Sequence, residues 1–314
     1  MSDPLVPAEF AAHVASLTPT DLEVGQPYAV SGAEWLRRLP QLLDNLLGEW
    51  GLTPSGPSRS GNCAVVVPVR TDAGPAALKV SWPHAEAATE HLALRQWDGR
   101  GAVRLLRADP RRFALLLERL DPTDLMDVEI DEACRVIGGL LAQLSSPAIP
   151  RTPTLGAYAA RLLTSLDAAA PDALPRRFVD QARHLARDLA GDLASEPSGR
   201  PGTTARLLHT DLHYANVLRA DRQGWLAIDP KPMAGDPAFE VAPALWNRFS
   251  ELGTGSSIRW GLRRRLEVIC EAAGIDEDRA RAWTIVREVD NAFAEPPGSD
   301  GVRVAVAIIK AMND

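Results

Sequence analysis

The stretch Leu207-Leu208-His209-Thr210-Asp211-Leu212-His213-Tyr214-Ala215-Asn216 carries a basic ring, a carboxylate and a carboxamide at H-x-D-x-x-x-x-N spacing. Asp229 follows eighteen residues after Asp211, at the end of Trp225-Leu226-Ala227-Ile228. One carboxylate can orient an attacking hydroxyl and take its proton, while an amide oxygen and a second carboxylate are hard ligands suited to Mg²⁺ on phosphates. Phosphoryl transfer from ATP needs that set. Singly, each residue has a plainer use: an Asp before a strand as a turn or cap, an Asn as a turn former, a His as a hydrogen-bonded structural residue. The joint spacing is what points to chemistry. His213, inside the same loop, has no such support and reads as structural or solvent-facing.

These residues must be held at strand ends. Leu207 and Leu208 lead in, Val217 and Leu218 lead out, and Asp221-Arg222-Gln223-Gly224 turns the chain back toward Asp229. Upstream, apolar periodicity predicts a helix from Glu34 to Trp50 that Pro40 kinks or restarts. Strands are expected over Cys63–Val69 and Ala76–Trp82, joined by Thr71-Asp72-Ala73-Gly74, then a helix over Ala85–Trp97. Two further strands, Ala102–Arg107 and Phe113–Leu120, complete a mainly antiparallel sheet crossed by one helix. Beyond Asp121-Pro122-Thr123-Asp124 the pattern turns helical: Asp131–Leu144, Leu155–Leu166, Phe178–Leu193, Pro237–Arg248, Trp260–Ala273, Asp278–Ala294 and Val302–Met312, with a Pro/Gly/Ser-rich loop over Ser195–Thr204. The expected organisation is an α+β, bilobal chain: residues 1–120 as a small nucleotide-binding lobe and 121–314 as a helical lobe carrying the polar hairpin and the acceptor site.

Lys79, inside the apolar Ala76-Ala77-Leu78-Lys79-Val80, is the natural phosphate-binding cation, and its long side chain needs an acidic partner. Glu86 and Glu90 both lie on the next helix. Leu94 and Trp97, four and seven residues on, place Glu90 on the inward stripe. Gly56-Pro57-Ser58-Arg59-Ser60-Gly61-Asn62 has P-loop glycine spacing but Asn62 in the lysine position, and a strand follows it where a P-loop has a helix. A flap over the triphosphate, with Gly61 among the nucleotide-binding residues, is the better reading. Glu118 and Leu120 end an apolar strand where the two patterns meet, and their backbone groups are placed to hydrogen-bond a purine edge.

Composition narrows the partners. At 46% apolar and 24% charged, the chain is ordinary for a globular protein. A net charge of −7 argues against nucleic acid and favours a cationic small molecule. No apolar run approaches a membrane span, Met1-Ser2-Asp3-Pro4 starts no signal peptide, and Cys63, Cys134 and Cys270 are scattered without C-x-x-C pairs. A reduced, cytoplasmic setting is expected. Lysine is rare beside arginine, which draws the eye to Lys79.

GRGAVRLL, LLHTDLHYANVLR, WLAIDPKPMAGDPAFEVA and RVAVAIIKAM together resemble the aminoglycoside phosphotransferase family, and within it the streptomycin 6-kinase and hydroxyurea kinase branch. The match runs from about Gly56 to the C-terminus. It implies a protein-kinase-like fold and ATP and Mg²⁺ as cofactors. It also implies that Asp211 is the catalytic base, that Asn216 and Asp229 hold the metal, that His209 braces the catalytic loop, and that Lys79 holds the α- and β-phosphates while paired to Glu90. Asp236 resembles the family aspartate that caps a helix and supports the catalytic loop, and Asp236-Pro237 does read as an N-cap with Pro at N1. Pro230 and Lys231 stand where protein kinases have Phe-Gly, and six residues between Asp229 and Asp236 leave no room for a peptide-docking segment. No protein partner is implied, and the acceptor is expected to be a small hydroxylated molecule. For a polycationic acceptor the candidate carboxylates are Glu240, Glu251, Glu288 and Asp290, although each alone reads first as a solvated helix charge. Trp246 and Trp260 are expected in the core. An aminoglycoside such as streptomycin, hydroxyurea and a metabolic aminosugar all remain open as acceptors. A non-catalytic nucleotide-binding pseudokinase is the reading from another class, and it would normally have lost the base, a metal ligand or the lysine.

Overall fold

The structure is a computed structural model, and it describes residues 5–20, 26–168, 174–195 and 205–313. Its chain separates into two compact units, Met1–Asp121 and Pro122–Asp314.

In the first unit, helices α1 (Ala8–Ala15) and α2 (Gly32–Trp50) precede one antiparallel sheet. Its strands are β1 (Thr53–Pro54), β2 (Arg59–Ser60), β3 (Ala64–Thr71), β4 (Gly74–Ser81), β5 (Leu105–Asp109) and β6 (Ala114–Glu118). The order is β1-β3-β4-β6-β5, with β2 also on β3, and α3 (Ala87–Trp97) lies between β4 and β5 in sequence. Ser31 caps α2 by accepting the Glu34 N–H, and Gly51, with φ of 65°, ends it. Pro40 lies inside α2 without ending it, so the expected new turn does not form. Strand alternation divides the sheet's residues. Val65, Val67 and Val69 of β3 and Ala76, Leu78 and Val80 of β4 share a core with Trp35, Leu39, Leu43 and Leu46 of α2. The strand expected over Ala102–Arg107 begins later, at Leu105. Ala102 and Val103 are buried but lie outside that strand, because an apolar run reports burial and not a continuous ladder.

The second unit comprises α4 (Ile130–Leu144), β7 (Ser146–Pro147), α5 (Leu155–Ala168), α6 (Arg176–Ser195), β8 (Arg206–Leu208), β9 (Val217–Ala220), β10 (Gly224–Ala227), β11 (Met233–Gly235), α7 (Pro243–Trp246), α8 (Ser256–Ala273), α9 (Glu277–Ala294) and α10 (Asp300–Asn313). Gly138 lets α4 approach α8, since a Cβ there would lie 2.6 Å from that of Ala272. The loop expected over Ser195–Thr204 lies, apart from Ser195, outside the described residues.

Two expectations are corrected. Pro237–Arg248 is not one helix: a 3-10 turn (Pro237–Glu240), the single turn of α7 and a second 3-10 turn (Phe249–Leu252) replace it. Pro243 has no N–H for the Phe239 carbonyl, which instead accepts from the Arg287 guanidinium at 3.1 Å. Trp260 is not in the core but 64% exposed, flanked by the Arg259 guanidinium. All three cysteines are free, and no described helix is long and apolar enough to cross a membrane.

What positions the functional loops is a pair of small sheets. β9 pairs with β10, Val217 opposite Ala227; β11 pairs with β8, Met233 opposite Leu208. The chain crosses from β8 to β9 through residues 209–216 and from β10 to β11 through 228–232. Both crossings connect the same two sheets, so they run side by side.

Candidate active site

In the first unit, alternation along β4 turns Lys79 to the sheet face opposite Leu78 and Val80. There its Nζ meets Glu90 Oε1 of α3 at 2.6 Å. Both side chains are buried. Glu86, at the start of α3, is exposed. The Gly56–Asn62 segment is a hairpin arm: Arg59 and Ser60 pair with Val66 and Val65. The Gly61 N–H closes this turn on the Ala64 carbonyl at 3.0 Å. Glu118 donates its N–H to the Arg104 carbonyl at 3.0 Å and accepts the Arg104 N–H on its carboxylate at 2.7 Å, so that N–H is engaged within the unit. Leu120 lies beyond the end of β6.

In the second unit, the two crossing loops are bonded to each other along their length. Ile228 donates to the Asn216 carbonyl and Lys231 to the His209 carbonyl, both at 2.9 Å, and the Thr210 hydroxyl donates to the Lys231 carbonyl at 2.6 Å. The fully buried His209 ring joins them again. Its Nε2 lies 2.9 Å from the Ile228 carbonyl, and its Nδ1 accepts the Asp211 N–H at 3.3 Å. Those partners select the neutral Nε2–H tautomer. Burial agrees, lowering the His209 pKa to about 4.

Between His209 and Asp211 the backbone is unusual. Thr210 has φ of 59°, and Asp229 on the facing loop has φ of 57°. For a β-branched threonine this left-handed conformation is costly and persists only if its surroundings impose it. Here they do. One oxygen of Glu240 accepts the N–H groups of both His209 and Thr210, the latter at 3.2 Å. Arg287 donates to the Thr210 carbonyl at 3.0 Å while its guanidinium covers the Phe239 and Trp246 rings at 4.2 and 5.0 Å.

Asp211 therefore leaves the loop at a set angle. Asn216 Nδ2 donates to the Asp211 carbonyl at 2.9 Å and lies 3.4 Å from Oδ2. Lys231 Nζ is also 3.4 Å from Oδ2, and His213 Nε2 is 4.0 Å from Oδ1. Burial raises the Asp211 pKa, and Lys231 and then His213 oppose the rise. His213 is largely enclosed beside this carboxylate, not solvent-facing.

Sequence reasoning assigned the support of this loop to the wrong carboxylate. Asp236 caps the 3-10 turn through the Ala238 N–H and binds Arg279 and Trp283, the latter at 2.8 Å. Glu240, four residues on, is the residue that grips the loop. The proposal of Glu240 as an acceptor contact is thereby corrected: it is 2% exposed, with burial pushing its pKa up to about 7.

Glu288 is corrected in the same way, being 1% exposed and out of reach of a bulky cation. Burial pushes its pKa up to about 8, above the 4.5 of an ordinary glutamate. Its proton is held in the folded state and released on unfolding across that window, so its contribution to stability is full below pH 4.5 and lost as pH rises through about 8. Glu288→Gln, neutral throughout, is expected to flatten the fall of Tm between about pH 5 and pH 8. Superimposable pH profiles of the two proteins would contradict this. Of the remaining carboxylates, Glu251 is paired with Arg248 at 2.7 Å, and Asp290, partly exposed, bonds Tyr158.

Lys231 and Arg287 were missed. Lys231 did carry a signal, because only three of the 34 basic Lys and Arg residues are lysines, at 79, 231 and 310. Arg287 carried none, since its partners are backbone carbonyls brought near by tertiary structure.

Residues 49–295 match the family model described as aminoglycoside/hydroxyurea antibiotic resistance kinase. The chain is 41% identical over 288 residues to a streptomycin 6-kinase of Streptomyces glaucescens, covering 87% of this chain and 90% of that one. It is 43% identical over 287 residues to a hydroxyurea phosphotransferase of Kitasatospora aureofaciens, covering 90% and 79%. An aminoglycoside phosphotransferase solved with ADP and hygromycin B shares the fold at a TM-score of 0.56 and 15% identity, over 86% of this chain and 97% of that one. The α+β, protein-kinase-like fold and the family resemblance expected from the motifs are both borne out. The chain belongs to the aminoglycoside/hydroxyurea antibiotic resistance kinase family and is a phosphotransferase.

Proposed function

We propose that the protein transfers the γ-phosphoryl group of ATP to a hydroxyl of an aminoglycoside, with streptomycin as the acceptor best supported by its relatives. The observation that carries this reading is the Asp211 carboxylate. It is held by a left-handed Thr210 and the Asn216 amide, and the side-by-side loops bring it near the Asp229 loop. Asp211 orients the acceptor hydroxyl and takes its proton as the oxygen attacks phosphorus. His209, neutral and bonded to both loops, keeps them in register.

The donor set suits Mg²⁺. Asn216 turns its NH₂ to Asp211, so its amide oxygen, together with the Asp229 carboxylate, would hold the metal. Among the described residues no cluster of three or more His, Cys, Asp or Glu forms a cage, and a two-residue oxygen pair is the kind of site Mg²⁺ completes with water and phosphate. When bound, the metal neutralises phosphate charge. Lys79, fixed by Glu90, serves the α- and β-phosphates. The Glu118–Leu120 backbone serves the purine, and the Gly61 hairpin arm serves as the flap. Of the carboxylates considered for a cationic acceptor, Asp290 alone is kept. The cytoplasm, where ATP and reduced thiols coexist, is the proposed compartment.

Asp229→Ala is expected to abolish the Mg²⁺ dependence of ATP binding in calorimetric titrations. An unchanged Mg²⁺ requirement would count against the metal assignment. Hydroxyurea is the second reading, favoured by the 43% identity to a hydroxyurea phosphotransferase. Mass spectrometry of the product from an equimolar mixture of the two acceptors separates them.

A further inference from the structure

Lys231 is placed with more care than a surface lysine needs. Its N–H donates to the His209 carbonyl and its own carbonyl accepts the Thr210 hydroxyl, so both backbone groups are tied to the two residues preceding Asp211. Pro230 restricts the chain on one side, and β11 begins two residues later. From that anchored Cα the side chain runs to Asp211 and stops with Nζ 3.4 Å from Oδ2, long for a closed ion pair, while the side chain stays 40% exposed. The ammonium therefore stands beside the carboxylate on a side chain that solvent still reaches.

The residue type agrees with the placement. A chain that writes nearly all its cations as arginine uses lysine three times, and two of the three are Lys79 and Lys231. Arginine presents a wide planar fork, whereas an ammonium is a compact charge on a flexible stem that can follow a moving group. Were Lys231 needed only to neutralise a buried aspartate, an arginine making a bidentate pair would hold it better.

We propose that Lys231 is a catalytic residue that binds the phosphoryl group in flight. The inference rests on the proposed role of Asp211. A base must lie about 2.6–3.2 Å from the acceptor oxygen, and that oxygen bonds directly to the phosphorus, so a cation beside Oδ2 is within reach of the phosphoryl oxygens. As the acceptor oxygen bonds to phosphorus, the bond from phosphorus to the bridging oxygen breaks and its electron pair leaves with ADP. The hydroxyl proton passes to Asp211, and the Lys231 ammonium moves from that carboxylate to the transferring PO₃ oxygens. It is thus exchanged from one anion to another as charge migrates, and stabilises the transition state more than the ground state.

The test is Lys231→Met, which removes the charge but keeps the backbone bonds of residue 231. The variant is expected to unfold at the wild-type temperature and bind ATP with wild-type affinity. Its kcat with streptomycin should fall by about a hundredfold or more. Calorimetric binding of ADP, Mg²⁺ and aluminium fluoride, a mimic of the phosphoryl group in flight, should weaken by a similar factor. Wild-type kcat and mimic affinity in the variant, or equal losses of ATP and mimic affinity, would overturn the role of Lys231 while leaving Asp211 in place. Failure of the wild-type protein itself to bind the mimic more tightly than ADP would overturn the reading of the Asp211 site, and this proposal with it.

Discussion

Replacing Asp211 by alanine lowers kcat by about two to four orders of magnitude and leaves ATP affinity close to that of the wild type. The size follows from the loss of a positioned base, and the selectivity from the architecture. The Asp211 backbone is held by His209, and the neighbouring Thr210 by Glu240 and Arg287, none of which depends on the Asp211 side chain. The loop should therefore survive the substitution. Asp211→Asn gives a companion variant of nearly the same shape, able to keep contact with Lys231 but unable to take a proton. Steady-state kinetics with ATP titrations check both, and wild-type turnover in either would remove Asp211 from the mechanism.

Glu90→Gln has the second large effect, first on stability. It takes away the carboxylate 2.6 Å from the Lys79 ammonium at a position where both side chains are buried. Removing one partner of a buried ion pair costs about 3–5 kcal/mol, because the remaining charge is left in a poor solvent. Urea unfolding should show that loss, and KM for ATP should rise as Lys79 loses its fixed position. The double variant Lys79→Met/Glu90→Leu separates the two roles: with no charge left to bury it should recover most of the stability but no ATP turnover. Unchanged stability and KM in Glu90→Gln would show that the pair does not act as a unit.

Much of this arrangement is legible in local sequence, and the reason is geometric. Lys79 meets Glu90 because strand alternation and helix periodicity each fix a face, and both periods can be read along the chain. His209, Asp211, Asn216 and Asp229 converge because short strands before and after them bring two loops alongside each other. What escaped reading depended on distance in sequence. A capping motif identifies Asp236 as an N-cap, but only the tertiary structure tells that Glu240 is the carboxylate reaching the His209 and Thr210 amides. The three-residue β11 carries too few side chains to announce a strand, and its pairing with β8 is what brings Lys231 to Asp211. The helix expected over Pro237–Arg248 failed because apolar periodicity is blind to the missing N–H of Pro243. Trp260 failed because large apolar residues are not always interior.

The most direct test of the central claim is a coupled ADP-release assay with Mg²⁺ and ATP against streptomycin, other aminoglycosides, hydroxyurea and free aminosugars, run beside Asp211→Ala. The account predicts turnover that depends on streptomycin and is lost in the variant. ATP binding without turnover on any acceptor, or turnover that the variant retains, would contradict it.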